Sequence, residues 1–179
     1  MTAVDEIVTA RFLLRPLTPG DATERYSAWL NDTDTSRYIE AARRPHGMAD
    51  LKAYIEARSG RSDVLFLGIF TRPGGAHIGN IKYEPVDELA GYAVMGILIG
   101  EPAWRGRDVA GEVITASAAW LAAHRNIREF VLGVQRDHEA AISAYRRIGF
   151  RVEATRRIAA RAETVTMVWR PQSAQRAAS

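Results

Sequence analysis

A chain of 179 residues is long enough for one domain around a single core, and with 47% hydrophobic and 25% charged residues its composition excludes a disordered chain. The absence of cysteine excludes disulfides, thiol catalysis and cysteine-bound metals. The net charge of +3 comes from 24 basic against 21 acidic residues, interspersed and not drawn into the basic stripe of a nucleic-acid binder. Only Lys52 and Lys82 are lysines, and arginine is the better fork for phosphate and carboxylate, so an anionic small ligand suits this chain. No apolar run approaches the ~20 residues of a membrane span. The opening MTAVDEIVTARF lacks the basic and apolar regions of a secretory signal. The expected setting is the cytoplasm, with neither membrane nor nucleic acid as partner.

IVTARFLLRPL, residues 7–17, reads as a first strand ending at Pro16 and Pro19. DATERYSAWLND has Ala22, Tyr26, Trp29 and Leu30 at helical spacing, with Asp21 as N-cap. MADLKAYIEA sets Met48, Leu51, Tyr54 and Ile55 on one face of a second helix. VLFLGIFTRPGGAHIGNIKYEPV reads as two strands around Pro73-Gly74-Gly75. GYAVMGILIG is a further strand, apolar on both faces and expected to be buried on both. Gly96 in its middle marks a bulge or a close approach to the backbone. EPAWRGRDVAGEVI, residues 101–114, leaves that strand and enters a long helix whose core face carries Val109, Val113, Ile114, Ser117, Trp120 and Leu121. EFVLGVQ is a buried strand, and HEAAISAYRRIGF a helix with Ala141, Ile142, Tyr145 and Ile148 on one face and Gly149 as its stop. RVEATRRIAA and ETVTMVWRP read as two closing strands. No repeat or long linker divides the chain, so residues 1–171 are expected to form one domain and QSAQRAAS, residues 172–179, a frayed tail. This order implies a mixed α/β sheet with helices on both faces.

Several chemistries fall away. HEAAI is not HExxH, since position 142 is Ile, and His46, His77 and His124 show no metal-ligand spacing, so no metal is expected. There is no GxSxG elbow and no GxGxxG after a strand. Gly106 and Gly111 have P-loop spacing, but Glu112 and Val113 stand where the phosphate lysine and the magnesium hydroxyl belong, which removes nucleotide hydrolysis. What remains is a loop at a helix N-terminus, where backbone N–H groups and the macrodipole favour anions and Arg105 and Arg107 can add charge-assisted bonds. Alone, that loop is also read as an ordinary turn with two solvated arginines. Tyr145, on an apolar helical face, is by periodicity alone a core residue.

With the doubly apolar strand before the loop and AYRRIGF after it, the chain resembles the GNAT acetyltransferase superfamily. The likeness is strongest to the branch that includes ribosomal-protein N-terminal acetyltransferases and related small-molecule acetyltransferases. It runs from TARFLLRPLTPGDA through AWLNDTDTSRYIE and HIGNIKYEP to SAYRRIGFR. The resemblance implies an α/β single domain: a mixed, largely antiparallel central sheet with a splayed strand pair and helices on both faces. It implies acetyl-CoA as co-substrate and transfer of its acetyl group to a primary amine, on a protein N-terminus, an amino sugar or another small amine. The family's pyrophosphate motif, Arg/Gln-x-x-Gly-x-Gly/Ala, falls on Arg105, Asp108 and Ala110, so Gly106, Arg107 and Val109 join the coenzyme loop. Gly96, Ile97, Leu98 and Ile99 take the position that pairs with the pantetheine arm, and Ile97 to Ile99 supply candidate oxyanion donors. Tyr145 takes the place of the tyrosine that protonates the departing thiolate.

Two positions depart from the family pattern. Asp108 replaces a glycine: Asp enters left-handed backbone more readily than most residues, yet as an N-cap it competes with a phosphate for the helix amides. A carboxylate about 4 Å from a phosphate costs on the order of 4 kcal/mol at an effective dielectric of ~20. His138 stands where an asparagine usually opens the tyrosine-bearing helix, and either keeps a coenzyme contact or caps the helix. Candidates for the base are Glu84 and Glu101, and the acceptor is expected near Tyr38, Ile39, Glu40 and Arg43. The protein is expected to be a monomer or homodimer. A competing reading is a non-catalytic ligand-binding or regulatory protein of this fold with a weakened coenzyme site. A basic nucleic-acid-binding domain lacks its stripe of interleaved aromatics.

Overall fold

Eight strands form one sheet in the order β1-β2-β3-β4-β5-β6-β8-β7. In chain order the elements are β1 (Ile7–Val8), β2 (Phe12–Pro16), α1 (Glu24–Asn31), α2 (Met48–Glu56), β3 (Leu65–Thr71), β4 (His77–Asp87), β5 (Tyr92–Ile99), α3 (Val109–Arg125), β6 (Glu129–Gln135), α4 (Glu139–Ile148), β7 (Arg151–Val152) and β8 (Thr164–Trp169). The computed structural model describes residues 6–33 and 47–172. Every pairing is antiparallel except that of β5 with β6.

That parallel pair is short. It joins Tyr92, Ala93 and Val94 to Glu129, Phe130 and Val131 and then stops. Beyond it, β5 stays on β4 as far as Ile99, while β6 stays on β8 as far as Gln135. The two strands therefore diverge, and the second half of β5 has one open edge. The expectation that GYAVMGILIG is buried on both sides needs correcting for this reason: Ala93 and Met95 are buried, but Ile97, Leu98 and Ile99 are half-buried and Gly96 is exposed. Nor does Gly96 mark a bulge. It sits in regular register opposite Lys82, and the irregularity lies in β4 between Tyr83 and Val86.

Helices cover both faces. On one, α3 buries Val109, Val113, Ile114, Ala118 and Leu121 against Leu67, Ile69, Ile81 and Tyr83 of the sheet, with Ala141, Ile142, Tyr145 and Ile148 of α4 packed at the margin. Leu67, Ile69 and Ile81 are wholly inaccessible, and each such side chain contributes about 1.5–3 kcal/mol of burial. The polar Ser117 is tolerated on this face because its hydroxyl donates to Val113 O at 2.7 Å and lies 2.8 Å from the Tyr83 hydroxyl. On the other face, Tyr26, Trp29 and Leu30 of α1 and Leu51 and Ile55 of α2 pack with Leu17 and Phe70.

Three expectations about elements change. IVTARFLLRPL is a hairpin, because Thr9 N donates to Phe12 O and Phe12 N donates back to Thr9 Oγ1, closing a turn without Gly or Pro. α1 is capped by Thr23, which accepts from Tyr26 N at 3.2 Å. Asp21 instead closes the preceding turn from Thr18 N and takes the Arg15 fork at 2.9 and 2.7 Å. Of RVEATRRIAA only Arg151–Val152 is strand; the remainder offers no alternating apolar face to bury. Gly149 does end α4, with φ 124°.

Candidate functional site

The loop after β5 begins with a short turn, Pro102–Trp104, and bends through Gly106 at φ 70° and Asp108 at φ 55° into α3. Among the described residues, none of the backbone N–H groups from Gly106 to Gly111 donates a hydrogen bond in standard geometry; the first to do so is that of Glu112, to Asp108 O at 3.4 Å. Six successive donors at the N-terminus of a 17-residue helix make an anion nest. Asp108 takes up the left-handed conformation that its position demands, and its carboxylate makes no capping bond. The carboxylate lies over Gly111, where a Cβ would come within 2.6 Å of Oδ1. It lines a cleft of about 300 Å³ with Gly111, Thr115, Arg147 and Ile148, so a cation from α4 shares the space.

The flanking arginines are arranged differently. Arg105 folds back onto the end of β5, donating from Nε to Ile99 O at 3.2 Å and from Nη2 to Gly100 O at 3.1 Å, with Asp32 at 3.6 Å. Arg107 holds its guanidinium 5.8 Å from the centre of the Trp104 ring. Val109 is buried in the core and Ala110 is half-buried.

Gly96 to Ile99 form the free half of β5. Ile97 and Ile99 face the α3–α4 side, Leu98 the α1–α2 side. Nothing lies within 4 Å of a Cβ built at Gly96, whereas one at Gly100 would be 2.0 Å from the Trp29 ring. Tyr145 packs on the same face as Ile97 and Ile99, its ring 5.8 Å from that of Phe150. Burial pushes its hydroxyl up to about 12, so it is protonated at neutral pH. Among the described residues that hydroxyl has no hydrogen-bond partner. His138 is the residue before α4, and its side chain makes no capping bond.

Both candidate bases are tied to cations. The Arg25 guanidinium grips Glu101 through both oxygens and, against the opposing pull of partial burial, holds its pKa below the usual value; Trp29 Nε1 adds a bond at 2.9 Å. Partial burial pulls the Glu84 carboxyl up, but Lys82 and Arg58, each at 2.9 Å, outweigh it and hold the pKa low, with Arg61 at 3.0 Å. A general base needs a pKa near the working pH, and such pairing moves both groups away from it. Tyr38, Ile39, Glu40 and Arg43 lie outside the described residues. Sequence reasoning missed Arg147 and Thr115. For Thr115 the signal was available, since Asp108, Gly111 and Thr115 fall on one helical face, opposite the core stripe; Arg147 comes from α4, and no spacing ties it to that face.

Comparison with known proteins fits this geometry. The model of the acetyltransferase (GNAT) domain matches residues 11–151. The chain belongs to the GNAT acetyltransferase family. Among solved structures, RimL, a ribosomal L7/L12 alpha-N-protein acetyltransferase in complex with coenzyme A, superposes with a TM-score of 0.79 at 14% identity, covering 93% of this chain and 98% of that one. The spermidine N-acetyltransferase of Vibrio cholerae, in complex with CoA and spermine, gives 0.74 at 18% identity over 88% and 94%. The microcin C7 self-immunity acetyltransferase MccE, in complex with acetyl-CoA and AMP, gives 0.76 at 15% over 90% and 93%. No curated protein matches the chain in sequence. The GNAT fold accounts for the single parallel pair and its divergence after Val94. Among the described residues, no helix is long and apolar enough to cross a membrane.

Proposed function

We propose that this GNAT protein transfers an acetyl group from acetyl-CoA to a primary amine, on a small molecule or a protein N-terminus, with residues 1–171 as the catalytic domain. The observation that carries the reading is the run of N–H donors from Gly106 to Gly111 beside the open edge of β5. The nest fits a pyrophosphate, and the free half of β5 fits an amide-bearing pantetheine arm. When bound, acetyl-CoA supplies an activated thioester. Transfer makes a C–N bond, breaks a C–S bond and moves a proton from the amine to the departing sulfur. In this reading the loop amides hold the pyrophosphate, Ile97 and Ile99 present backbone donors near the reacting carbonyl while the Leu98 N–H is turned to β4, and Tyr145 gives the sulfur its Oη proton and regains one from the acylated nitrogen. Arg105 fixes the strand exit, and Glu101 fastens α1 to it through Arg25 and Trp29. With Glu84 and Glu101 paired, the ammonium form of the acceptor gives up its extra proton to solvent before the attack. Turnover is then expected to rise with pH up to the amine's own pKa, with the same profile in Glu84→Gln.

A second reading, a GNAT-fold protein that binds a ligand without transferring acetyl, is favoured by Asp108 at the nest and by the pairing of both glutamates. A panel of primary amines assayed for acetyl-CoA-dependent thiol release separates the two. Release with at least one amine supports transfer; acetyl-CoA binding without release for any of them supports the second reading.

A further inference from the structure

The residue that rules out a P-loop, Glu112, anchors the N-terminal hairpin. Its Oε1 accepts from Thr9 Oγ1 at 2.6 Å and from Arg11 N at 2.8 Å, and its Oε2 accepts from Arg11 Nε at 2.6 Å. Burial pulls this carboxyl up, but the bonds from Thr9 and Arg11 hold its pKa low, so it stays charged. The rest of the Arg11 guanidinium reaches into the coenzyme loop: Nη1 donates to Arg107 O at 3.0 Å and Nη2 to Asp108 O at 3.4 Å. Its flat face lies 4.9 Å from the centre of the Phe12 ring, and Phe12 in turn meets Trp104 edge-on at 5.4 Å. The guanidinium is thus fixed on three sides.

In a trans peptide unit the C=O and N–H bonds point in opposite directions. The carbonyl of Arg107 shares its unit with the N–H of Asp108, and the carbonyl of Asp108 shares its unit with the N–H of Val109. We propose that Arg11 is a positioning residue for coenzyme binding: by drawing these two carbonyls toward the β1–β2 turn, it turns the N–H groups of Asp108 and Val109 outward to the pyrophosphate. The proposal rests on the coenzyme reading above. The pairing itself is half-exposed, with 40% of the Arg11 side chain accessible, so its weight on stability is small. Its effect falls on the orientation of donors.

The test compares two ligands by calorimetry in wild type, Arg11→Gln and Arg11→Lys: acetyl-CoA, and S-acetylpantetheine, which has the thioester and the arm but no pyrophosphate. Losing charge-assisted bonds that hold the nest is expected to weaken acetyl-CoA about tenfold or more and to leave S-acetylpantetheine within about twofold. Lysine keeps the charge without the fork, so Arg11→Lys is expected to behave like Arg11→Gln. Unchanged acetyl-CoA affinity in both variants overturns the proposal. So does full recovery by lysine, which assigns the effect to charge alone, and so does equal loss for both ligands, which assigns it to general damage. Failure of the wild type to bind acetyl-CoA overturns the coenzyme reading and this inference with it.

Discussion

Asp108 stands where the family pattern has glycine. Its backbone takes the left-handed turn at φ 55°, which Asp tolerates better than most residues. That tolerance was legible in the sequence. The fate of its side chain was not, because N-capping and lying over Gly111 differ by a rotamer and not by residue type. The carboxylate is exposed and shares its cleft with Arg147, so the repulsion of a phosphate falls well below the ~4 kcal/mol of an unscreened pair at 4 Å. Asp108→Asn, which keeps the turn and removes the charge, is expected to tighten acetyl-CoA by up to about tenfold in calorimetry; weaker binding would show that the carboxylate helps. Tyr145 is the second residue at issue. Tyr145→Phe is expected to lower kcat about a hundredfold while leaving the Kd for acetyl-CoA unchanged. With its pKa near 12, the hydroxyl stays protonated through the range in which the amine becomes neutral. An unchanged kcat would return this tyrosine to a packing role.

Among the elements, the end of α4 was readable and the start of α1 was not. Gly149 was recognisable as the stop of α4, and the structure adds why nothing else fits: φ is 124°, and a Cβ would lie 2.8 Å from Trp169 Nε1. Gly149→Ala is therefore expected to destabilise the fold by about 1–3 kcal/mol, read as a lower urea midpoint with an unchanged slope. The hairpin of β1 and β2 was not readable, because a turn closed by one threonine carries none of the usual Gly, Pro or Asn signals. Asp21 shows the same limit. It is a good N-cap type, but Thr23 does the capping, and Asp21 is held by Arg15 and Thr18. Burial pulls its carboxyl up, yet those bonds lower it to about 2 from 3.8. A depressed pKa adds stability above the unfolded value, lost as pH falls through the folded one. Stability is thus expected to drop by roughly 1 kcal/mol between about pH 4 and pH 2, and Asp21→Asn should lack that part of the acid transition.

For the whole molecule, the order of strands and helices apart from the β1–β2 hairpin, the helices on both faces and the diverging pair were legible, the last through resemblance and not through periodicity. Two strands that part after three residue pairs leave little trace in hydrophobic pattern, since GYAVMGILIG reads the same whether its neighbour stays or leaves. The loop, the helix it opens and AYRRIGF were legible as elements because each is local in sequence; that they hold the coenzyme is the proposal. Ion pairs between distant segments were not legible, and they decide how the acids behave; Glu101 meets Arg25, and Glu84 meets Arg58 and Arg61, across gaps that spacing does not encode. In the proposed function, the nest at Gly106 to Gly111 grips the pyrophosphate of acetyl-CoA. That grip is tested most directly by titrating acetyl-CoA into the wild-type protein in a calorimeter at low and raised salt. Saturable one-to-one binding that weakens as salt screens the pyrophosphate is expected; no detectable binding at either ionic strength would rule that grip out.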